Sequence, residues 1–303
     1  MPHSQNINEM PITFDCHGDR LLGIIHPADG NASTGILIIV GGPQYRVGSH
    51  RQFLLLARHL AAQGIASMRF DVRGMGDSEG QPRRFDQLDQ DIRAAIDCFL
   101  ASCPHLTRVV LWGLCDGASA AAFYAYQDSR VKGMVLLNPW VFTEQGEAKA
   151  YLKHYYLQRL CSKDFWRKVF SFEFDYASSL TSLFKLAKQA VRQNDATQTA
   201  DTISRVDENL ALPVRVRECL KQFTHPVLLI LSGRDLTADQ FKDAVRSDSQ
   251  WQVLLSDSRF TRHDFPAADH TFSTAAWRDQ VAEWTATWVK VQFKPTPPAH
   301  PVD

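Results

Sequence analysis

The chain has 303 residues, 45% hydrophobic and 22% charged, enough for a large core in one or two domains. Lys plus Arg and Asp plus Glu are each 33, and this neutral sum argues against nucleic acid as the main partner. No apolar run approaches the roughly 18 residues of a membrane span. Residues 1–10 lack the basic-then-apolar layout of a secretion signal. The six cysteines contain no C-x-x-C pair, which argues against a disulfide framework or a zinc site and for a reduced, cytoplasmic setting.

In chain order, Met10–Cys16 and Arg20–His26 flank His17-Gly18-Asp19 and read as an antiparallel hairpin. Gly35–Val40 and Ile65–Phe70 are short apolar runs of strand type. Between them, Ser49-His50-Arg51-Gln52 has capping-box spacing, in which a Ser hydroxyl and a Gln three residues later satisfy each other's backbone N–H. Phe53, Leu56, Ala57 and Leu60 then share one helical face, as do Leu88, Ile92, Ala95, Ile96 and Phe99 further on. Val109–Trp112, Val131–Leu137 and Val227–Leu231 repeat the strand pattern. Continuously apolar strands alternating with helices imply an α/β fold, a mostly parallel sheet with helices on both faces.

The alternation stops over residues 141–222, which read as helices and loops. Ten of the 35 residues from Phe142 to Tyr176 are aromatic, against 11% for the chain. Lys149 to Arg192 holds nine Lys or Arg and three Asp or Glu. So long a segment is an insertion with its own structure rather than a connection, which leaves residues 1–140 and 223–293 as the core. The last helix puts Trp277, Val281, Trp284 and Trp288 on one stripe, whose spacing reads as core packing rather than a ligand platform. Residues 294–303 hold four prolines and read as a disordered tail.

The sharpest chemical signal is Arg108 to Gly117, R-V-V-L-W-G-L-C-D-G. An apolar strand runs into Gly113-Leu114-Cys115-Asp116-Gly117, followed by Ala118, Ser119 and three more alanines suited to a tightly packed helix. This is a G-x-nucleophile-x-G elbow with Cys115 as the nucleophile, where larger flanking residues would clash on the strained turn. The helix start favours a thiolate and aims the Asp116 backbone N–H at a developing oxyanion. Against this stands a bland reading of Cys115 as a small buried apolar residue.

With this elbow the whole chain resembles the α/β-hydrolase family. Asp71 to Gly80, D-V-R-G-M-G-D-S-E-G, is similar to the turn that follows that family's fourth strand. The resemblance implies that Asp235, in Leu231-Ser232-Gly233-Arg234-Asp235, is the acid, with Asp239 as its rival and a loop-capping carboxylate as its bland reading. It implies His270 as the base, with His263, followed by Asp264, as its rival. The second oxyanion donor would come from Val40-Gly41-Gly42-Pro43-Gln44. Pro43 has no N–H, so Gly42 or Gln44 remains. Arg46 and His50 follow, as solvated surface or as contacts to an anionic substrate. The family places its lid after the sixth strand, where the basic, aromatic insertion lies.

More narrowly, the G-G-P-Q-Y-R-V-G-S-H loop with the elbow resembles the hydrolases associated with the exosortase A system of exopolysaccharide-making bacteria. Within the wider family, a Cys elbow is similar to those of dienelactone hydrolases and polyester synthases. The resemblance implies no cofactor or metal, and a small-molecule acyl substrate, free or on coenzyme A or an acyl carrier. It implies ester or thioester hydrolysis through an acyl–Cys115 intermediate. Transfer of the acyl group to an alcohol or amine is the alternative, and a binding protein without turnover is a third. One feature cuts across the scheme: the Asp116 carboxylate would raise the neighbouring thiol's pKa unless it points away.

Overall fold

The computed structural model describes residues 8–28, 32–42, 44–141 and 206–294. Strands β1 (Met10–Cys16), β2 (Asp19–His26), β3 (Thr34–Ile39), β4 (Ser67–Phe70), β5 (Arg108–Leu114), β6 (Val131–Leu137), β7 (Val227–Arg234) and β8 (Phe260–Asp269) form one sheet. Its order is β1-β2-β4-β3-β5-β6-β7-β8. The β1–β2 and β2–β4 pairs are antiparallel, and every pair from β4–β3 to β7–β8 is parallel.

The helices are α1 (Gln52–Ala62), α2 (Asp89–Ser102), α3 (Asp116–Ala125), α4 (Leu212–Gln222), α5 (Leu236–Ser247), α6 (Ser249–Leu255) and α7 (Ala275–Gln292). Strand residues alternate between two cores. Leu37, Ile39, Leu111, Leu136 and Leu229 pack with α2, α3 and α4 on one face. Ile36, Ile38, Val110, Trp112, Val135 and Leu228 pack with α1 and α7 on the other. Both faces are dry, so alternate polar positions are not tolerated and the strands read as continuous apolar runs. Each such fully buried aliphatic side chain stabilises the fold by roughly 1.5–3 kcal/mol. The expected faces of α1 and α2 are the buried ones, and the α7 stripe packs on the second core.

Three local expectations change. The capping box does not form, because His50 and Arg51 take left-handed backbone angles (φ 53° and 62°) and turn the chain before α1 begins. The Ser49 N–H instead donates to Gln44 Oε1 at 3.2 Å, and Gln52 is buried. Leu212–Gln222, counted with the insertion in the sequence, lies on the sheet as α4. Its Val216, Cys219 and Leu220 are apolar enough to join the core beside α3. β8 has no counterpart among the expected strands. The remaining insertion, residues 142–205, and the tail from 295 lie outside the described residues.

The Asp71–Gly80 turn anchors the loop that leaves β3. Arg73, buried, pairs with buried Asp91 of α2 at 2.8 Å, and Ser78 Oγ donates to the Asp71 carbonyl at 2.7 Å. Asp71 accepts the Arg46 backbone N–H at 2.6 Å and also pairs with its guanidinium, while Asp77 holds the same guanidinium at 2.7 Å. Arg46 therefore fastens the loop and is not free to meet an anionic substrate.

Candidate active site

Cys115 sits between β5 and α3 at φ 61°, ψ −125°, a conformation that costs a non-glycine residue about 1–3 kcal/mol. The surroundings enforce it. The Cys115 N–H donates to the Leu137 carbonyl at 2.9 Å, and its own carbonyl accepts from Trp140 at 3.2 Å and Ala118 at 3.1 Å. A Cβ on Gly113 would collide with the Gly117 carbonyl, and one on Gly117 would sit 2.7 Å from the Ile39 carbonyl. The small buried residues of α3, Ala118 to Ala122, let the helix start lie this close to the sheet.

Burial acts on the other described cysteines, although Cys98, like Cys115, is only partly covered. It pushes the Cys16 thiol up to about 11 and the Cys219 thiol to about 12, and it raises Cys98 and Cys103 as well. Cys115 is only partly covered and opens onto a cavity of about 390 Å³. Phe53, Phe85, Leu114 and Trp140 line that cavity together with Gln44 and His270.

β7 delivers Asp235 and β8 delivers His270. Asp235 caps α5, accepting the N–H groups of Thr237 and Ala238 at 3.1 Å each. Its Oδ2 also lies 2.9 Å from His270 Nδ1. The ring N–H does not point straight along that line, so the contact is an ion pair rather than a linear hydrogen bond. Asp235 thus caps α5 and faces His270 at the same time. Asp235 first, and then the neighbouring Cys115 side chain, push the His270 imidazolium up to about 10 against the opposing effect of burial.

The rivals stand elsewhere. His263 lies within β8, its ring stacked on Trp284 at 4.5 Å, and Asp264 pairs with Arg262 at 2.9 Å. Asp239 lies 3.5 Å from Lys242 on α5. His50 is exposed.

The expected oxyanion residues meet as well, with one difference. The Gly42 N–H donates to Asp116 Oδ2 at 2.7 Å, and the Gly117 N–H donates to Asp116 Oδ1 at 3.0 Å. Gly42 is therefore already engaged, by the side chain whose backbone was the expected first donor. Burial raises the Asp116 carboxyl, and these N–H groups act in the opposite sense. Gln44 borders the cavity.

Sequence reasoning missed Asn138, which is fully buried just beyond β6. Its Oδ1 accepts the Ser232 N–H at 2.9 Å, and its Nδ2 donates to the His270 carbonyl at 3.1 Å, tying the acid and base loops together. The Asn138-Pro139 pair after an apolar strand, a turn signal, was the available clue. Among the described residues no group of His, Cys, Asp and Glu is arranged to hold a metal ion, and no helix is long and apolar enough to cross a membrane.

A family model described as serine aminopeptidase, S33, matches residues 33–258, most of the chain. The chain belongs to this α/β-hydrolase family. Its elbow residue is cysteine where the family description says serine. A polyketide transferase, claH, of Penicillium crustosum is 28% identical over 128 residues, covering 41% of this chain and 42% of that protein. The quorum-quenching protein AidA of Acinetobacter baumannii is 27% identical over 144 residues, covering 45% and 46%. The chain thus spans less than half the length of these relatives. Esterase Pf2001 of Pyrococcus furiosus shares the fold, with a TM-score of 0.63 at 13% identity over 97% of this chain and 96% of its own.

Proposed function

We propose that the protein hydrolyses a carboxylic ester or thioester, with Cys115 as nucleophile, His270 as base and Asp235 as the acid that orients it. The observation that carries this reading is the juxtaposition of a strained, cavity-facing Cys115 with a His270 that borders the same cavity and lies 2.9 Å from Asp235. Sulfur attacks the carbonyl carbon, the thiol proton passes to His270, and the carbonyl electron pair moves onto oxygen. As the pair returns, the bond to the leaving group breaks and His270 protonates that group. Water, losing a proton to His270, then attacks the thioester carbon, and the acid leaves as Cys115 regains its proton.

A thiol nucleophile suits this chemistry, since thiol–thioester exchange is nearly isoenergetic, and amide hydrolysis is less natural for this fold with a Cys nucleophile. The apolar wall of Phe53, Phe85, Leu114 and Trp140 fits an uncharged acyl group. A free thiol at the centre fits a reducing, cytoplasmic setting. The G-G-P-Q-Y-R-V-G-S-H loop supports a place beside the exosortase A system. The polyketide transferase relative supports a second reading, acyl transfer from coenzyme A or an acyl carrier to an alcohol or amine. Steady-state turnover of nitrophenyl esters and acyl thioesters of graded length, with and without acceptors, separates the two. Turnover in water alone supports the hydrolase, and turnover only with an acceptor supports the transferase. Cys115→Ala is expected to abolish both, and surviving activity would overturn the assignment.

A further inference from the structure

An oxyanion formed on Cys115 needs two donors about 2.7–3.1 Å away, conventionally the N–H of the residue after the nucleophile and one from the loop after β3. Those positions are Asp116 and the Gly41–Gln44 loop. In the structure a carboxylate already accepts hydrogen bonds there. Asp116 Oδ2 takes the Gly42 N–H at 2.7 Å, and Oδ1 takes the Gly117 N–H at 3.0 Å. Asp116 borders the same cavity as Cys115 and His270.

We infer that the Asp116 side chain plugs the oxyanion hole, its carboxylate standing on the Gly42 N–H where the substrate's developing oxyanion must stand. This rests on Cys115 being the acylated nucleophile. One N–H cannot serve two acceptors at full strength, and a carboxylate beside a developing oxyanion repels it. Acylation therefore waits for the carboxylate to rotate about its Cα–Cβ bond, which frees both N–H groups. The cost of burying the carboxylate, opposed by its N–H partners, makes such a plug displaceable rather than permanent. Asp116 is then a positioning residue that acts through the donors. A substrate that holds the side chain aside would be favoured over one that only reaches the thiol.

The test compares two reactions of Cys115 in the wild type, Asp116→Asn and Asp116→Ala. Acylation by nitrophenyl acetate needs the oxyanion hole. Alkylation by iodoacetamide does not, and it reports any change in thiol reactivity caused by removing a nearby carboxylate. The plug predicts that the ratio of acylation to alkylation rates rises about tenfold in Asp116→Ala, the scale of losing a hydrogen bond to a charged group, and by less in Asp116→Asn, whose amide oxygen can still take the Gly42 N–H but no longer repels an oxyanion. If the alanine variant does not fold, the rise in the near-isosteric asparagine variant, from loss of the charge alone, decides the matter. An unchanged or lower ratio would overturn the plug and make the carboxylate a tether for the Gly42 loop. Alkylation without acylation in all three proteins would overturn Cys115 as acyl acceptor, and the plug with it.

Discussion

Asparagine at position 235 would remove the charge facing His270 while keeping the cap on α5. Asp235 accepts two N–H groups at the start of α5, and asparagine caps a helix about as well as aspartate. Asp235→Ala loses the cap too and is expected to cost about 1 kcal/mol more. What both variants lose is the largest cause of the rise in His270 from 6.5 to about 10. A raised folded-state value stabilises the fold fully below 6.5, and that contribution is lost as pH rises toward 10. Across this window wild-type stability should fall by at most about 1.4 kcal/mol per pH unit. The fall should be smaller in practice, because the His270 side chain is 34% exposed and solvent screens the pair.

In Asp235→Asn the slope should flatten, because His270 then titrates nearer its ordinary value in both states. Urea denaturation at pH steps between 6.5 and 10 reads this directly. Ester turnover by the same variant should drop on the order of 10³–10⁴-fold, as when a catalytic His loses its orienting carboxylate. Parallel slopes together with undiminished turnover would refute the pairing of Asp235 with His270.

Other outcomes follow from single contacts. Asn138→Ala strips the partner from the buried Ser232 N–H and frees the His270 carbonyl. It should cost about 2–3 kcal/mol in denaturant unfolding and lower kcat more than it raises KM. Gly113→Ala forces a methyl onto the Gly117 carbonyl, and a loss of about 1–3 kcal/mol with a matching drop in Tm is expected. His263→Ala removes a ring stacked on Trp284 and should leave ester turnover intact while lowering stability by about 0.5–1.5 kcal/mol.

What could be read in the sequence was what repeats along one segment. Strands β3 and β5–β7 lie between two dry helical layers, so their apolar runs announce themselves. β8 is an edge strand, half-exposed and carrying Arg262, His263 and Asp264, so it has no such run. The elbow was legible because Gly113, Cys115 and Gly117 are all confined to one turn. Asn138 was not, because its two bonds reach residues 94 and 132 positions away. The engagement of the Gly42 N–H was hidden for the same reason, since its partner Asp116 lies 74 positions along the chain. The failed capping box had a different cause, two successive left-handed residues that spacing alone does not reveal.

The central claim is that an acyl group rests on Cys115 during turnover. Mixing the protein with a slowly hydrolysed acyl ester, quenching in acid and mapping peptides by mass tests it most directly. One acyl adduct is expected, confined to the peptide containing Cys115, decaying with the rate of turnover and missing in Cys115→Ala. An adduct on another residue, or full turnover with Cys115 unmodified at every time point, would contradict it.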